Sequence, residues 1–376
     1  MNHTQIMQKV FEFAREGEGF TAPNPMVGTI IIKDDSIIGK GAHRKYGEKH
    51  AEINAIENAV ESVAGSTLYT NLEPCCHSTP GKNTPPCTNR IIQEKISRVV
   101  ISTIDPNPHV NGNGIRTLRE AGIEVITDVL TEEAVRLNEV YFKFVQSNQP
   151  FVHLKIAQSI DGRIATHNYD SQWITDESAR TQVYKMRHKY SAVLIGLNTL
   201  KKDNPRLTVR LAQGKQPYRI ILDERLESEL TSNVFRDAHT DKTIVFTTPD
   251  YDQNKREKLT HRGISINIVQ SNGNGLVNLD EVLSQAARSG ISSILVEGGG
   301  MVFTQFIAHK LFDKISVYIS PIIIGAGIES IGELNISSVS EALNLENVDF
   351  ENVNHQIVVT GYRDISATFG KMAGYL

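Results

Sequence analysis

A chain of 376 residues is longer than one ordinary hydrophobic core organises, so two domains are expected. With 40% apolar and 22% charged residues, both can bury a core and stay soluble; no apolar run approaches the ~20 residues that span a bilayer, and MNHTQIMQKVFEF does not read as a secretory leader. A net charge of −4 without a long basic run counts against nucleic acid as partner, yet leaves room for a small phosphorylated ligand in a cytoplasmic protein.

Gln5 to Arg15 places Ile6, Val10 and Ala14 at helical spacing. A Gly- and Pro-rich loop from Gly17 to Pro25 precedes a buried strand, Val27–Ile32, a turn at Lys33–Asp35 and a second strand near Ile37 and Ile38. A helix is predicted over His50–Val60, with Ile53, Ile56 and Val60 on one face. Strand Ser66–Leu72, helix Thr88–Glu94, strand Arg98–Ile104, helix Ile115–Ala121 closed by Gly122, and strand Ile123–Ile126 follow. The polar stretch Gln146–Pro150 reads as a linker, dividing the chain into domains 1–146 and 150–376. Beyond it, strands are predicted at Phe151–Ile156, Ala192–Ile195, Arg219–Leu222, Thr243–Phe246, Ile294–Val296 and Ile315–Ile319, with Gln270–Gly275 a loop. Such alternation specifies layered α/β domains.

The three cysteines, Cys75, Cys76 and Cys87, fall within thirteen residues. An odd, clustered set in a reducing compartment points to metal chemistry rather than to a disulfide framework. Upstream stands His50-Ala51-Glu52, and Pro74 and Pro86 precede Cys75 and Cys87. One imidazole and two thiolates suit a catalytic zinc, which keeps its fourth position for water. Zinc lowers the pKa of that water from about 15.7 to roughly 7. Attack on an amino-bearing ring carbon then needs a proton shuttle, and Glu52 can sit beside the ion without ligating it. The eleven residues between Cys75 and Cys87 exceed the usual deaminase spacing of two. Cys76 and His77 therefore stand as competing ligands, although neighbours on an extended chain point opposite ways. A closed structural zinc site is the alternative, and it would have no use for Glu52.

The run Ala22–Gly28, Gly41-Ala42-His43, His50-Ala51-Glu52, Glu73–His77, Thr84–Cys87, Asp105–Pro108 and Gly112–Gly114 resembles the bifunctional riboflavin-biosynthesis deaminase/reductase family. That family carries P-C-x-H-x-G-x-T-P-P-C; here the loop from His77 to Thr84 is three residues longer and Gly81 is displaced. The resemblance implies a cytidine-deaminase-like α/β/α first domain holding one zinc through His50, Cys75 and Cys87, with Asn24, His43 and His77 as substrate contacts.

The second half lacks G-x-G-x-x-G, so a Rossmann dinucleotide fold is not indicated. Its strongest local feature is the strand–turn–helix Ile294–Val302 around Gly298–Gly300, a form that lets a backbone approach a pyrophosphate. Leu154–Ala165, Ser171–Thr175, Arg187, Asp203–Arg210 and Glu297 resemble the reductase half of the same family. The resemblance implies a dihydrofolate-reductase-like α/β fold using NADPH, with Ala157, Trp173, Thr199, Asp203 and Gly298, Gly299 and Gly300 facing the cofactor. It implies Ser171, Arg187, Leu207, Arg210 and Glu297 facing the substrate, and the two arginines suit a phosphate clamp. The implied activity is deamination of a diamino-ribosylamino-pyrimidinone 5′-phosphate, then reduction of its ribosyl group to ribityl, in a homo-oligomer. Two rivals remain at this point: another zinc deaminase with an unrelated second domain, and a non-catalytic zinc- or nucleotide-binding protein.

Overall fold

A computed structural model describes residues 2–77, 85–210 and 214–370. The chain divides between Asn148 and Gln149, inside the polar linker, and from Phe369 onward it counts with the first unit. Phe369 is fully buried, and its carbonyl accepts from Gln146 Nε2 at 3.4 Å. Among the described residues no helix is long and apolar enough to cross a membrane.

The first unit runs α1 (His3–Ala14), β1 (Gly28–Lys33), β2 (Ser36–Ala42), α2 (Ala51–Glu57), β3 (Thr67–Leu72), α3 (Cys87–Gln93), β4 (Arg98–Thr103), α4 (Asn113–Glu120), β5 (Glu124–Ile126), α5 (Thr131–Leu137) and α6 (Glu139–Ser147). Its sheet has the order β2-β1-β3-β4-β5. β1 is antiparallel to both its neighbours, whereas β3, β4 and β5 are parallel. Successive strand side chains point to opposite faces. Ile31, Leu68, Val99 and Ile101 therefore pack with Ile56, Ile91 and Leu118 on one side, while Ile30, Tyr69 and Val100 pack with Met7, Val10 and Ala134 on the other. This is the expected α/β/α sandwich. The parallel strands β3 and β4 end on the same side, and the chain leaves them toward Cys75 and Asp105. The predicted helix over His50–Val60 is shorter than read: it stops at Glu57. Val60 is 84% exposed, and its N–H donates to the Ile38 carbonyl at 2.9 Å, drawn off the helix by the neighbouring strand.

The second unit contains β6 (Phe151–Ser159), β7 (Arg163–Thr166), α7 (Glu177–Lys189), β8 (Ala192–Gly196), α8 (Leu197–Asp203), β9 (Tyr218–Leu222), β10 (Thr243–Thr247), α9 (Gln253–Thr260), β11 (Ser265–Ile268), α10 (Leu279–Arg288), β12 (Ser293–Val296), α11 (Gly300–Ala308), β13 (Lys314–Ser320), β14 (Gly327–Glu329), β15 (Glu346–Val353), β16 (Gln356–Tyr362) and α12 (Ile365–Phe369). Nine strands form one sheet in the order β11-β10-β9-β8-β12-β6-β13-β16-β15. Pairing is parallel from β11 to β13 and antiparallel across β13, β16 and β15. The central strands read as continuous apolar runs because helices cover them. Val152, Leu194, Ile220, Phe246 and Val296 pack against Val282, Phe303 and Phe306 of the helices. Asp176 caps α7 by accepting from the Ala179 N–H at 3.0 Å, which sets the start of the helix that carries Arg187.

Candidate active sites

His50 is the N-cap of α2, and Cys87 is the first residue of α3, entered through Pro86. Cys75 lies in the segment after β3. His50 Nδ1 is 3.5 Å from Cys75 Sγ and 3.3 Å from Cys87 Sγ. Ligands held by zinc at about 2.05 Å (nitrogen) and 2.3 Å (sulfur) in a tetrahedron stand about 3.6 Å apart, so the three atoms fit the ion. All three ligand atoms lie within 4.8 Å of one another, the one such group of three among the described residues. Cys76 is not in it: its Sγ faces the His109 carbonyl at 3.8 Å. The longer loop, residues 78 to 84 including Gly81 and Thr84, lies outside the described residues.

The electrostatics favour thiolate. A side-chain hydrogen bond with Cys87 leads in holding the Cys75 thiol down to about 3, against burial and aided by His50. The Cys87 N–H at the start of α3 donates to Cys75 Sγ at 3.4 Å. Glu52 is 3% exposed, and burial pushes its carboxyl above the usual range, opposed by His50. His43 is buried and packs edge-on to His50 with ring centroids 5.4 Å apart. Its Nδ1 contacts the Lys49 carbonyl at 3.1 Å, which only accepts, so the proton sits on Nδ1. Nε2 is then the acceptor for Asn24 Nδ2 at 3.2 Å. Burial lowers the pKa of His43, keeping the ring neutral. Asn24, His43, His50, Glu52, Cys75 and His77 line one cavity of about 310 Å³.

That cavity also contains Asp105, Asn107 and Tyr141, which were not singled out as site residues from the sequence. Asp105 Oδ1 accepts from Tyr141 Oη and from the Asn107 N–H, both at 2.8 Å. Burial pushes the Asp105 carboxyl up to about 7, opposed by those two bonds. Glu73, 3% exposed, accepts from the N–H groups of Asp105, Gly112 and Ile115 at 3.2, 2.9 and 3.0 Å. It thereby ties the segment before Cys75 to the loop that floors the cavity. Gly114 permits this approach, since a Cβ there would stand 2.2 Å from the Pro74 carbonyl oxygen.

In the second unit, Arg187 and Glu297 form a bidentate pair, Nε–Oε1 and Nη2–Oε2 both 2.7 Å. Burial works to push the Glu297 carboxyl up but is outweighed by Arg187 and then Lys155, so it sits below its usual range. Arg187 Nη1 donates to the Thr208 carbonyl at 3.2 Å. Of the two arginines expected as a phosphate clamp, Arg187 turns its fork to Glu297. Arg210 is the exposed member of the two, bonded to Tyr184 Oη at 3.0 Å. Leu207 is 1% exposed at a φ of 54°, so a ligand there meets its backbone rather than its side chain. Lys155 on β6 lies 5.0 Å over the Tyr318 ring, and burial lowers its pKa from 10.5 to about 8.

Ser171 Oγ reaches Asp203 Oδ1 at 3.5 Å, and burial raises the Asp203 carboxyl. Gly298, Gly299 and Gly300 bring the start of α11 against other backbone. A Cβ at Gly298 would stand 2.5 Å from Ile195 Cα, one at Gly299 2.9 Å from Thr199 Oγ1, and one at Gly300 2.4 Å from the Glu329 carbonyl oxygen. The glycine turn, Thr199 and the end of β8 therefore pack closely together. Ala157 on the neighbouring part of the sheet faces Tyr318 in register. Trp173 is 68% exposed, with the Arg180 guanidinium 4.2 Å over its ring.

Both halves of the chain match known families. The family model of the cytidine and deoxycytidylate deaminase zinc-binding region matches residues 1–103, and that of the RibD C-terminal domain matches residues 150–359. The riboflavin biosynthesis protein RibD of Aquifex aeolicus is 41% identical over 354 residues, 94% of this chain and 96% of the relative. That of Bacillus amyloliquefaciens is 44% identical over 320 residues, 85% and 84% of the two chains. The chain belongs to the RibD family. Among solved structures, Acinetobacter baumannii RibD superposes with a TM-score of 0.86 at 31% identity, covering 96% of this chain and 98% of that one. A Thermotoga maritima diaminohydroxyphosphoribosylaminopyrimidine deaminase/5-amino-6-(5-phosphoribosylamino)uracil reductase superposes at 0.84 and 37% identity, with the same coverage.

As a RibD-family protein the chain is a bifunctional deaminase and reductase of riboflavin biosynthesis, with a zinc-binding deaminase domain and an NADPH-using reductase domain. In RibD terms, His50, Cys75, Cys87 and Glu52 were legible as a motif. Asp105 and Tyr141 were not, because the signal for Asp105, a carboxylate just past an apolar strand, is common, and Tyr141 joins it from 36 residues away.

Proposed function

We propose that the first domain deaminates a 2,5-diamino-6-ribosylamino-pyrimidinone 5′-phosphate and the second reduces the ribosyl group of the product to ribityl. The observation that carries this is the buried Glu52 beside three converging zinc ligands. Zinc, when bound, supplies a water acidic enough to act as nucleophile near neutral pH. Glu52, its carboxyl raised by burial, takes the water's proton and returns it to the ring nitrogen and to the departing ammonia. Neutral His43 holds the Asn24 amide in place, and the two form one wall against the ring. In the second domain NADPH supplies the hydride. Gly298–Gly300, Thr199, Ala157, Trp173 and Asp203 hold the cofactor, while Ser171, Leu207, Arg210 and the Arg187–Glu297 pair orient the ribosyl phosphate.

The test is a paired assay on zinc-replete protein. Ammonia release without NADPH, followed by NADPH oxidation once it is added, supports the order; NADPH oxidation before any ammonia release refutes it. Glu52→Gln keeps zinc and lowers ammonia release by about 10² to 10⁴. We also propose a cytoplasmic homo-oligomer. The clustered cysteines suit a reducing compartment, and the edge strand β15 exposes Phe350 at 74%, a surface suited to self-association. Light scattering decides the oligomeric state.

A further inference from the structure

Arg210 is exposed, and an exposed arginine side chain samples many rotamers that a bound anion has to arrest. Here both ends of the side chain are restrained by residues outside the 203–210 stretch. At the head, Tyr184 of α7 accepts from Arg210 Nη2 through its Oη at 3.0 Å. The Arg210 guanidinium also stands over the Tyr184 ring, 5.3 Å from its centroid, within cation–π range. The Arg187 guanidinium, one helical turn further on, stands 5.3 Å from the same centroid. Arg187 is itself fixed by Glu297 and by the Thr208 carbonyl, so the ring rests against a held neighbour.

At the root, Gln216 holds Val209, the residue before Arg210. Its Oε1 accepts from the Val209 N–H at 2.8 Å and its Nε2 donates to the Val209 carbonyl at 3.0 Å, so one side-chain amide answers both backbone groups. Gln216 is anchored in turn, its carbonyl accepting from Lys242 Nζ at 2.9 Å. A guanidinium carries five N–H donors in a planar fork. Tyr184 engages Nη2 alone, which leaves the fork donors to offer a phosphate.

We propose that Tyr184 and Gln216 are positioning residues of the reductase site, holding Arg210 ordered before the substrate's 5′-phosphate arrives. This rests on the reading above that Arg210 faces the phosphorylated substrate. Ordering the side chain in the free protein removes an entropic cost from binding, so the two residues act on affinity and leave hydride transfer alone. Their effect passes through Arg210 and needs no contact of their own with the substrate.

The experiment follows NADPH oxidation by the full chain on the deaminated 5′-phosphate and on its dephosphorylated counterpart. Calorimetric titration of the deaminated 5′-phosphate into protein without NADPH gives the affinity directly. Tyr184→Phe, which keeps the ring and removes the hydroxyl, and Gln216→Met are each expected to weaken binding of the phosphorylated compound and raise its KM by about three- to tenfold. Changes in kcat, and in KM for the dephosphorylated compound, should stay below about twofold, a split that a general structural defect does not produce. In an Arg210→Ala background, Tyr184→Phe should add nothing, because the residue through which it acts is gone. The assignment is overturned if Tyr184→Phe and Gln216→Met leave affinity unchanged, if they affect both compounds alike, or if their effects add to that of Arg210→Ala. A different failure shows in the single variant: if Arg210→Ala itself leaves KM for the phosphorylated compound unchanged, the reading of Arg210 as a substrate contact falls, and this proposal with it.

Discussion

Replacing Lys155 with methionine is predicted to stabilise the C-terminal unit at neutral pH. Lys155 sits on a central strand beside the Arg187–Glu297 pair, and burial, set against the attraction of Glu297, lowers its pKa from 10.5 to about 8. The shift of about 2.5 pH units, at about 1.36 kcal/mol each, comes to roughly 3 kcal/mol. Lys155 retains some accessible surface, which lets solvent screen the charge, so about 2 to 3 kcal/mol is the expected cost of holding the ammonium there. The sign follows from proton counting. Between the folded pKa near 8 and the unfolded value of 10.5, the unfolded chain binds more protons, so stability rises with pH. The cost is fully present below about pH 8 and disappears above 10.5. Calorimetry from pH 7 to 10.5 reads it, with chelator used to identify the zinc-dependent N-terminal transition. Lys155→Met should exceed wild type at pH 7, and the gap should close as the pH rises through that window. A variant less stable than wild type at pH 7, or a gap independent of pH, refutes the reasoning.

Cys87→Ser is expected to lose zinc, measured by atomic emission, and to stop ammonia release while reduction of the already deaminated compound continues; persisting deamination would move the third ligand to Cys76 or His77. Gly114→Ala forces a Cβ to within 2.2 Å of the Pro74 carbonyl oxygen and should cost about 1–3 kcal/mol, with deamination falling more than reduction. An unchanged melting temperature would show that the Pro74 segment yields freely. Glu297→Gln leaves the Arg187 guanidinium buried without its counter-charge. The expected loss is about 3–5 kcal/mol in the C-terminal unit and of NADPH oxidation, with ammonia release intact. Equal loss of both activities would place the defect outside the reductase site.

The zinc ligands and Glu52 were legible because their chemistry is narrow. A His-x-Glu at a helix start, and two Pro-Cys pairs, have few uses besides a metal and its proton shuttle. The first sandwich was legible for the same kind of reason: runs such as Ile30-Ile31 and Val99-Val100-Ile101 feed two opposite faces, and only a sheet covered on both sides buries them all. Val60 was misread because helical spacing continued past the point where the Ile38 carbonyl captured its N–H. The pairing of Arg187 with Glu297 was not legible, because 110 residues separate the two and a guanidinium's target is not written in its neighbours.

The nucleotide cofactor of the second half came from family resemblance rather than from local pattern. By itself the sequence determined two α/β domains and a zinc site of one imidazole and two thiolates. These depend on residue type and local period, which survive without coordinates. The tertiary structure decided which cysteine is excluded from the cluster, that Arg187 pairs with a buried carboxylate, and that Asp105 and Tyr141 line the same cavity as Glu52. Those are outcomes of burial and of long-range pairing. The free energy of a charge or a hydrogen bond is set by what the fold brings beside it, however far away in the chain.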